Sequence, residues 1–482
     1  MHGHNASCLF PGRLPLRLVC AVLCFGLSGT SRGLDEGLIA STVADKPFIN
    51  RFGLDASRLS PSERANRLSN VTTMVTIGCL PGALLAFLLT EKIGMLWAMR
   101  GSCLVWMSGS IIFLTSHTIG QVYAGRLIMG VGIGQFGVVA PVYLGEVSPR
   151  QIRGVIIGLF GISDVQVIWA GILLFFSLFC EESPRFLCKR GRADQAAQAL
   201  GKLWQLPALH TEVQDEIRAA QRQLELENGN STRSFWETVR TLFTTKENLK
   251  RIAFIFTVQC LIQRSGPTSL TTYAPKLFSL FGIKGESEKL FTTAIFGAVK
   301  FASALGSALF MIDFIGRRRT LYIGVTMQIL AFLYISIFLT VFYTLSEEKQ
   351  QSPATKRSAI GAIVMVYLIG VSYALGWNSI QYIITAEIFP LPVRIAGSSV
   401  ATVWHYANRM GLSKAVPTML LEHGSLTPTG TFWFFTAMSI LGGVYALVFL
   451  PETSRKGLEE TGDLYTGRKT FSQIGHKHTS DR

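Results

Sequence analysis

Apolar runs of about twenty or more residues recur along this chain from Leu16 to Leu450, and that feature removes most folds from consideration. A helix that crosses a bilayer needs roughly 20 mostly apolar residues, and no soluble core takes in so many such helices. The runs fall at about 16 to 41, 71 to 90, 95 to 117, 120 to 143 and 154 to 180, then at about 252 to 274, 290 to 312, 320 to 345, 358 to 380, 397 to 421 and 430 to 450. The reading is an all-α membrane protein with about 11 transmembrane segments, five before a polar linker and six after it. A mean hydropathy of +0.36 agrees. The boundaries that follow are a first bundle over 1–180, a linker over 181–251, a second bundle over 252–450 and a tail over 451–482.

The net charge of +15 sits mainly in loops and tails, which fits loops facing anionic lipid and not a nucleic-acid-binding domain. The linker holds twelve Lys and Arg together with amphipathic helical patches, which places it in the cytoplasm. Eight cysteines lie mostly in or beside apolar segments without CxxC pairs, so neither a disulfide framework nor a metal site is expected. The opening thirty residues could serve as a secretory signal, but their apolar pattern continues to Ser41 and makes a full span. Of the glycosylation sequons at Asn5, Asn70 and Asn230, only Asn70 would face outward.

The two halves repeat one another. Glu146-x-x-Pro149-x-x-x-Arg153 has the spacing of Glu387-x-x-Pro390-x-x-x-Arg394. Glu91-Lys-Ile-Gly94 answers Asp313-Phe-Ile-Gly316, and Glu182-Ser-Pro-Arg185 answers Glu452-Thr-Ser-Arg455. Repeated bundles of this kind place a substrate between them near mid-membrane. The repeat also exposes a deficit: Glu146 and Glu182 are 36 residues apart but Glu387 and Glu452 are 65 apart, so the first half is short by 29, one helix with its loop. The junction falls near Ser163 and Asp164. The expectation is a single span over 154 to 180 with Asp164 near its centre, at a cost of roughly 2.5 to 3.5 kcal/mol, and a re-entrant hairpin is the alternative. One span fewer would turn the first half over relative to the second, although Lys92, Arg150 and Arg153 pull it to the same side as Arg317, Arg318 and Arg319.

The stretches "PVYLGEVSPRQIRG", "EESPRFL", "DFIGRRR", "ITAEIFPLPVRIAG" and "PETSRKGLEE" resemble, in order and over nearly the whole chain, the signature motifs of the sugar porter family of the major facilitator superfamily. "SGPTSLTTYAPKLFSLFGI", "SEKLFTTAIFGAVKF" and "SKAVPTML" further resemble its fungal quinate permease branch. The resemblance implies the major facilitator fold of two helical bundles, here 12 segments minus most of the fifth, in a plasma-membrane permease that moves a small polar solute with protons. It implies no cofactor, and a membrane enzyme is disfavoured by the lack of paired acids, nucleophile setting or metal cluster at helix ends.

By that resemblance Asp35 is the proton-coupling acid and Arg126 its basic partner, since an approaching opposite charge lowers the acid's pKa and desolvation raises it. Glu146, Arg153, Glu182, Arg185, Asp313, Arg317, Arg318, Glu387, Arg394, Glu452 and Arg455 form a cytoplasmic gate, pairing when it shuts and parting when it opens. Met95 and Leu96 stand where the family has basic residues and weaken the first-half latch. Four bases lie at membrane depth, Arg264, Lys300, Arg409 and Lys414, which favours an anion over a neutral sugar. Arg264, with Arg409 or Lys300, would hold a carboxylate, and Gln259, Gln263, Thr268, Thr272, Asn378, Tyr382 and Asn408 would meet hydroxyls. Thr268 and Thr272 replace the family's Asn and first Tyr, and Lys414 is the weakest candidate because it can reach the outer interface. His405 reads as a structural group, and Gly130, Gly132 and Gly134 as a close helix contact. The reading is a proton-coupled permease for quinate or a related polyhydroxylated carboxylate, with transport impaired by the missing helix. A hexose permease and a non-transporting nutrient sensor are the alternatives.

Overall fold

The computed structural model describes residues 46–54, 59–147, 180–228, 235–282, 285–307, 315–345, 352–390, 393–420 and 426–450, with isolated residues such as Cys24, Ile39, Leu173 and Ser177. All regular elements among them are helical. The first half supplies α1 (Pro61–Ile93), α2 (Met95–Leu114) and α3 (Ile119–Val147). The linker forms α4 (Pro184–Lys189), α5 (Ala193–Trp204), α6 (Thr211–Asn228) and α7 (Phe235–Thr244). The second half runs through α8 (Lys246–Arg264), α9 (Pro267–Thr272), α10 (Ala274–Leu280), α11 (Glu286–Gly306), α12 (Arg317–Thr344) and α13 (Pro353–Tyr373). A π turn over Ala374–Asn378 leads into α14 (Ser379–Glu387), then α15 (Arg394–Met419) and α16 (Thr427–Phe449).

Local chemistry sets the helix starts. Ser60 and Ser352 each accept the amide three residues on and precede a proline at the first helical position, at 3.2 Å from Glu63 and 3.3 Å from Thr355. Gly94 and Gly316, the matched glycines of the sequence repeat, stand before α2 and α12 with φ of +94° and +98°, a backbone region open chiefly to glycine.

Six described helical stretches are long and apolar enough to span a membrane: Asn66–Ile93, Met95–Leu114, Ile119–Val147, Arg317–Thr344, Pro353–Glu387 and Thr427–Phe449. Their exposed Leu84, Leu104, Ile111, Leu441 and Val448 meet lipid. α8 and α15 fall below that apolarity because they turn polar faces inward, Gln259 and Gln263 on one, His405 and Arg409 on the other, all buried. The span read over 252 to 274 is broken: Gly266 adopts φ +96° against the ring of Phe435, Pro267 restarts the chain as α9, and Tyr273 ends it. Between α1 and α3, a Cβ at Gly130 would lie 2.1 Å from the Val75 carbonyl and one at Gly134 2.4 Å from that of Cys79. Backbones touch there, as small residues allow where lipid offers no hydrophobic drive to association.

The expected reversal of the first half is corrected by the fold. Tyr143, near the end of α3, donates to the Glu181 carbonyl at 2.6 Å, so the chain leaves and re-enters at one end of the molecule. A single crossing between them would separate these flanks by roughly 30 Å. The span read over 154 to 180, with Ser163 and Asp164, otherwise lies outside the described residues, save for a few from Leu173 onward.

Candidate functional site between the bundles

A narrow cavity lies between the halves. Ile39, Thr72, Val75, Thr76, Cys79, Arg126 and Ile133 line it from the first half, and Thr272, Tyr406, Arg409 and Ser413 from the second. The helical period explains the convergence. Thr72, Thr76 and Cys79 share one face of α1, and Thr402, Tyr406, Arg409 and Ser413 one face of α15. Two guanidinium groups therefore face one cavity, and no acidic side chain lines it among the described residues. Arg126 is anchored through Nε to the Val71 carbonyl at 2.5 Å and lies over the Phe113 ring. Its expected partner Asp35 lies outside the described residues.

Of the residues read from sequence as substrate ligands, Thr272 and Arg409 line this cavity. Gln259 and Gln263 meet instead around His405. His405 Nδ1 lies 2.8 Å from Gln259 Oε1, and Gln263 Nε2 lies 3.1 Å from Nδ1 and 3.4 Å from Nε2. Gln259 Nε2 passes the chain on to Thr385 Oγ1 at 3.3 Å, and Thr385 to the Gln381 carbonyl at 2.7 Å. Gln263 Oε1 stays buried without a partner, an acceptor that a ligand hydroxyl would satisfy. Tyr382 stands beside His405, ring centroids 6.4 Å apart. Arg264 is held by Asn408 and by the Cys260 sulfur at 2.7 Å, and is not among the cavity-lining residues. Lys300 donates to Thr271 at 2.8 Å and lies over the Phe296 and Tyr373 rings. Thr268 reaches the Tyr373 hydroxyl at 3.5 Å, and Asn378 closes the π turn, half-buried.

Thr72 and Thr76 line the cavity without having been named from the sequence, whereas His405 is the hydrogen-bonded structural group that was expected. The signal was there: 72, 76 and 79 on α1, like 402, 405, 406, 409 and 413 on α15, recur at helical spacing, and a polar stripe on an otherwise apolar helix marks an inward face.

The end of the molecule that carries Arg317 to Arg319 is closed by ion pairs. Arg317 pairs with Glu387 within the second half, and Arg394 reaches Glu146 across the halves at 3.7 Å with both side chains buried. Ser183 donates to the same Glu146 carboxylate. Glu182 accepts from the Met95 and Leu96 amides at 3.0 and 3.3 Å, so it caps α2, and it pairs with no arginine among the described residues. Burial pushes its carboxyl above the ordinary range; the Ser183, Leu96 and Met95 amides partly offset that, and Glu146 nearby adds to the rise. Arg185 joins Glu216 of the linker at 2.8 Å, and Arg318 the Leu447 carbonyl at 2.6 Å. Arg153, Asp313, Glu452 and Arg455, also read as gate residues, lie outside the described residues. At the opposite end, Lys414 extends from α15 to Asn66, Ser69 and Asn70 on α1.

Two helical bundles in a membrane, with a polar cavity between them and ion pairs across one end, define a multi-pass transporter of the major facilitator fold. The Sugar (and other) transporter family matches residues 19–163 and 161–465, and the chain belongs to that family. It is 27% identical to the probable quinate permease of Aspergillus flavus over 467 residues, 90% of this chain and 85% of that one. With the quinate permease of Emericella nidulans it shares 26% over 481 residues, 93% and 87% of the two chains. The fold superposes on the proton:xylose symporter XylE of E. coli with a TM-score of 0.76 at 20% identity, covering 93% of this chain and 99% of that one.

Proposed function

We propose that this protein carries quinate or a related polyhydroxylated carboxylate across the plasma membrane with protons, by alternating access. The observation that carries the reading is the pair of guanidinium groups, Arg126 and Arg409, in a cavity otherwise lined by hydroxyls and apolar side chains. A neutral sugar gains little from buried cations, whereas a carboxylate needs one to offset its desolvation. Arg409 holds the carboxylate, with Thr72, Thr76, Thr272 and Ser413 beside it and Gln263 Oε1 as a further acceptor for substrate hydroxyls. Arg126 answers the proton-coupling acid Asp35. Similarity to quinate permeases and to a proton:xylose symporter supports both parts.

The end closed by Arg317–Glu387 and Arg394–Glu146 is the cytoplasmic one, since Arg317 to Arg319 sit in a short loop that the positive-inside rule orients. Between the matched motifs the first half is 29 residues shorter than the second, the length of one helix with its loop. The family match breaks at 161–163, beside the junction read from the 29-residue deficit, which supports that reading. Family members use polar groups on the fifth helix, so transport by this chain is weaker than by a copy with the helix restored.

Uptake of labelled quinate and glucose into proteoliposomes, by this chain and by the restored copy, tests the proposal. Quinate uptake driven by an inward proton gradient and greatest in the restored copy is expected. Glucose uptake unaffected by excess quinate would replace the reading with a hexose permease.

A further inference from the structure

Helix α15 carries a cation near each end, and both reach the other half of the molecule. Arg394, its first residue, meets Glu146, while Lys414, twenty residues and roughly 30 Å along the axis, meets α1. The Lys414 ammonium donates to Asn66 Oδ1 at 2.5 Å, to Ser69 Oγ at 3.3 Å and to Asn70 Oδ1. Asn66, Ser69 and Asn70 lie three and four residues apart on one helical face, so three neutral oxygens converge on three ammonium protons. The cavity lies between these two contacts on α15, bounded by Arg409 and Ser413 just below Lys414.

We infer that Lys414 is the latch of the outer gate, with Asn66, Ser69 and Asn70 as its catch, and that it positions α15 against α1 when the cavity closes on the outside. This rests on alternating access but assigns a residue outside the substrate site and the charged loop motifs. The choice of neutral acceptors has a physical consequence. Parting Arg394 from Glu146 gives up the attraction of two opposite charges in a buried setting, whereas parting Lys414 gives up hydrogen bonds from one ammonium to neutral oxygens, which water at the outer mouth replaces for both partners. The outer latch is therefore the easier to open, and adding a carboxylate to the catch would tighten it.

Cys79 reports the gate directly, because it lines the cavity and is 1% exposed in the closed arrangement. Right-side-out vesicles carrying the full chain are treated with a membrane-impermeant methanethiosulfonate, and modification of the Cys79 peptide is followed by mass spectrometry. Lys414→Met is expected to speed labelling about tenfold, the loss of hydrogen bonds to a charged group, and Asn70→Asp to slow it. Lys414→Arg should stay within about twofold of the native rate, since it keeps cationic donors. Should Lys414→Met fail to fold, Asn70→Asp still decides the matter. Rates equal to the native one in Lys414→Met or Asn70→Asp, or faster labelling in Asn70→Asp, overturn the proposal. The readout is exposure, not transport, so a chain that carries no solute still answers it.

Discussion

The Glu146 carboxylate at the end of α3 and the Arg394 guanidinium at the start of α15 face each other at 3.7 Å, buried to 2% and 1% side-chain exposure. They are the first charge of the first half's loop motif and the last charge of the second half's. No other described contact ties the two copies of the repeat together by charge at this end. Ser183 completes the carboxylate's coordination, which joins the linker to the same point.

Removing one partner strands the other in a buried setting, at about 3–5 kcal/mol for such pairs. Glu146→Gln and Arg394→Gln should each destabilise the protein strongly in detergent, and the double variant by less than their sum. A double-mutant cycle on thermal unfolding should give a coupling of about 1–3 kcal/mol; additive effects would mean the pair is not coupled.

Gly94 tolerates no side chain. A Cβ there would lie 2.4 Å from Glu182 Oε2 on a backbone with φ +94°, whereas a Cβ at Gly411 on α15 would meet nothing within 4 Å. Gly94→Ala is expected to cost more than about 1 kcal/mol, and Gly411→Ala to add about 0.5–1 kcal/mol. Melting of the two purified variants ranks them.

Arg409→Gln should lower quinate kcat/KM by about a hundredfold, the loss of one charged contact of roughly 3 kcal/mol. Arg264→Gln should change it by less than about tenfold, because Arg264 is taken up by Asn408 and Cys260. Uptake kinetics in the restored copy separate the two, and equal losses would move the carboxylate site.

Glu182 gives a pH signature. A carboxyl whose pKa is raised by folding favours the fold at low pH, and that contribution is lost as pH rises through the shifted value. Glu182→Gln keeps an acceptor for the Met95 amide but carries no charge. Its melting temperature should therefore gain on the native protein's as pH rises from about 4 to about 7. Parallel curves would show that burial of the charge is not felt.

Cys188 on α4 is a buried thiol pushed up to about 11 by desolvation. At neutral pH it should react with maleimide about a hundredfold more slowly than an exposed cysteine, since only the thiolate attacks. Peptide mapping after timed alkylation measures this; rapid labelling would mean α4 lifts away from the bundle.

Much of the architecture was legible in the chain because it rests on local quantities. The spans follow from runs of apolar residues, the halves from Glu146 and Glu387 at identical spacing, and the helix starts from Ser-Pro and Gly signals. Gly130 and Gly134 were read as a helix contact and do touch α1. Residues whose role depends on a distant partner were not legible. Glu182 was read as an ion-pair partner and proves a helix cap, because only the fold brings the start of α2 against it. His405 was read as structural, but which groups hold it was not legible, because Gln259 and Gln263 are about 140 residues away in sequence.

The sequence by itself determined a multiply spanning membrane protein of two related halves with charged loops and intramembrane cations, since hydropathy and spacing belong to each segment alone. Only the tertiary structure decided that both halves share one orientation, that Arg409 and Arg126 look into one cavity, and that Arg394 and Lys414 bridge its two ends. Those facts depend on helices far apart in the chain lying side by side, and no local property of either helix encodes which neighbour it will meet.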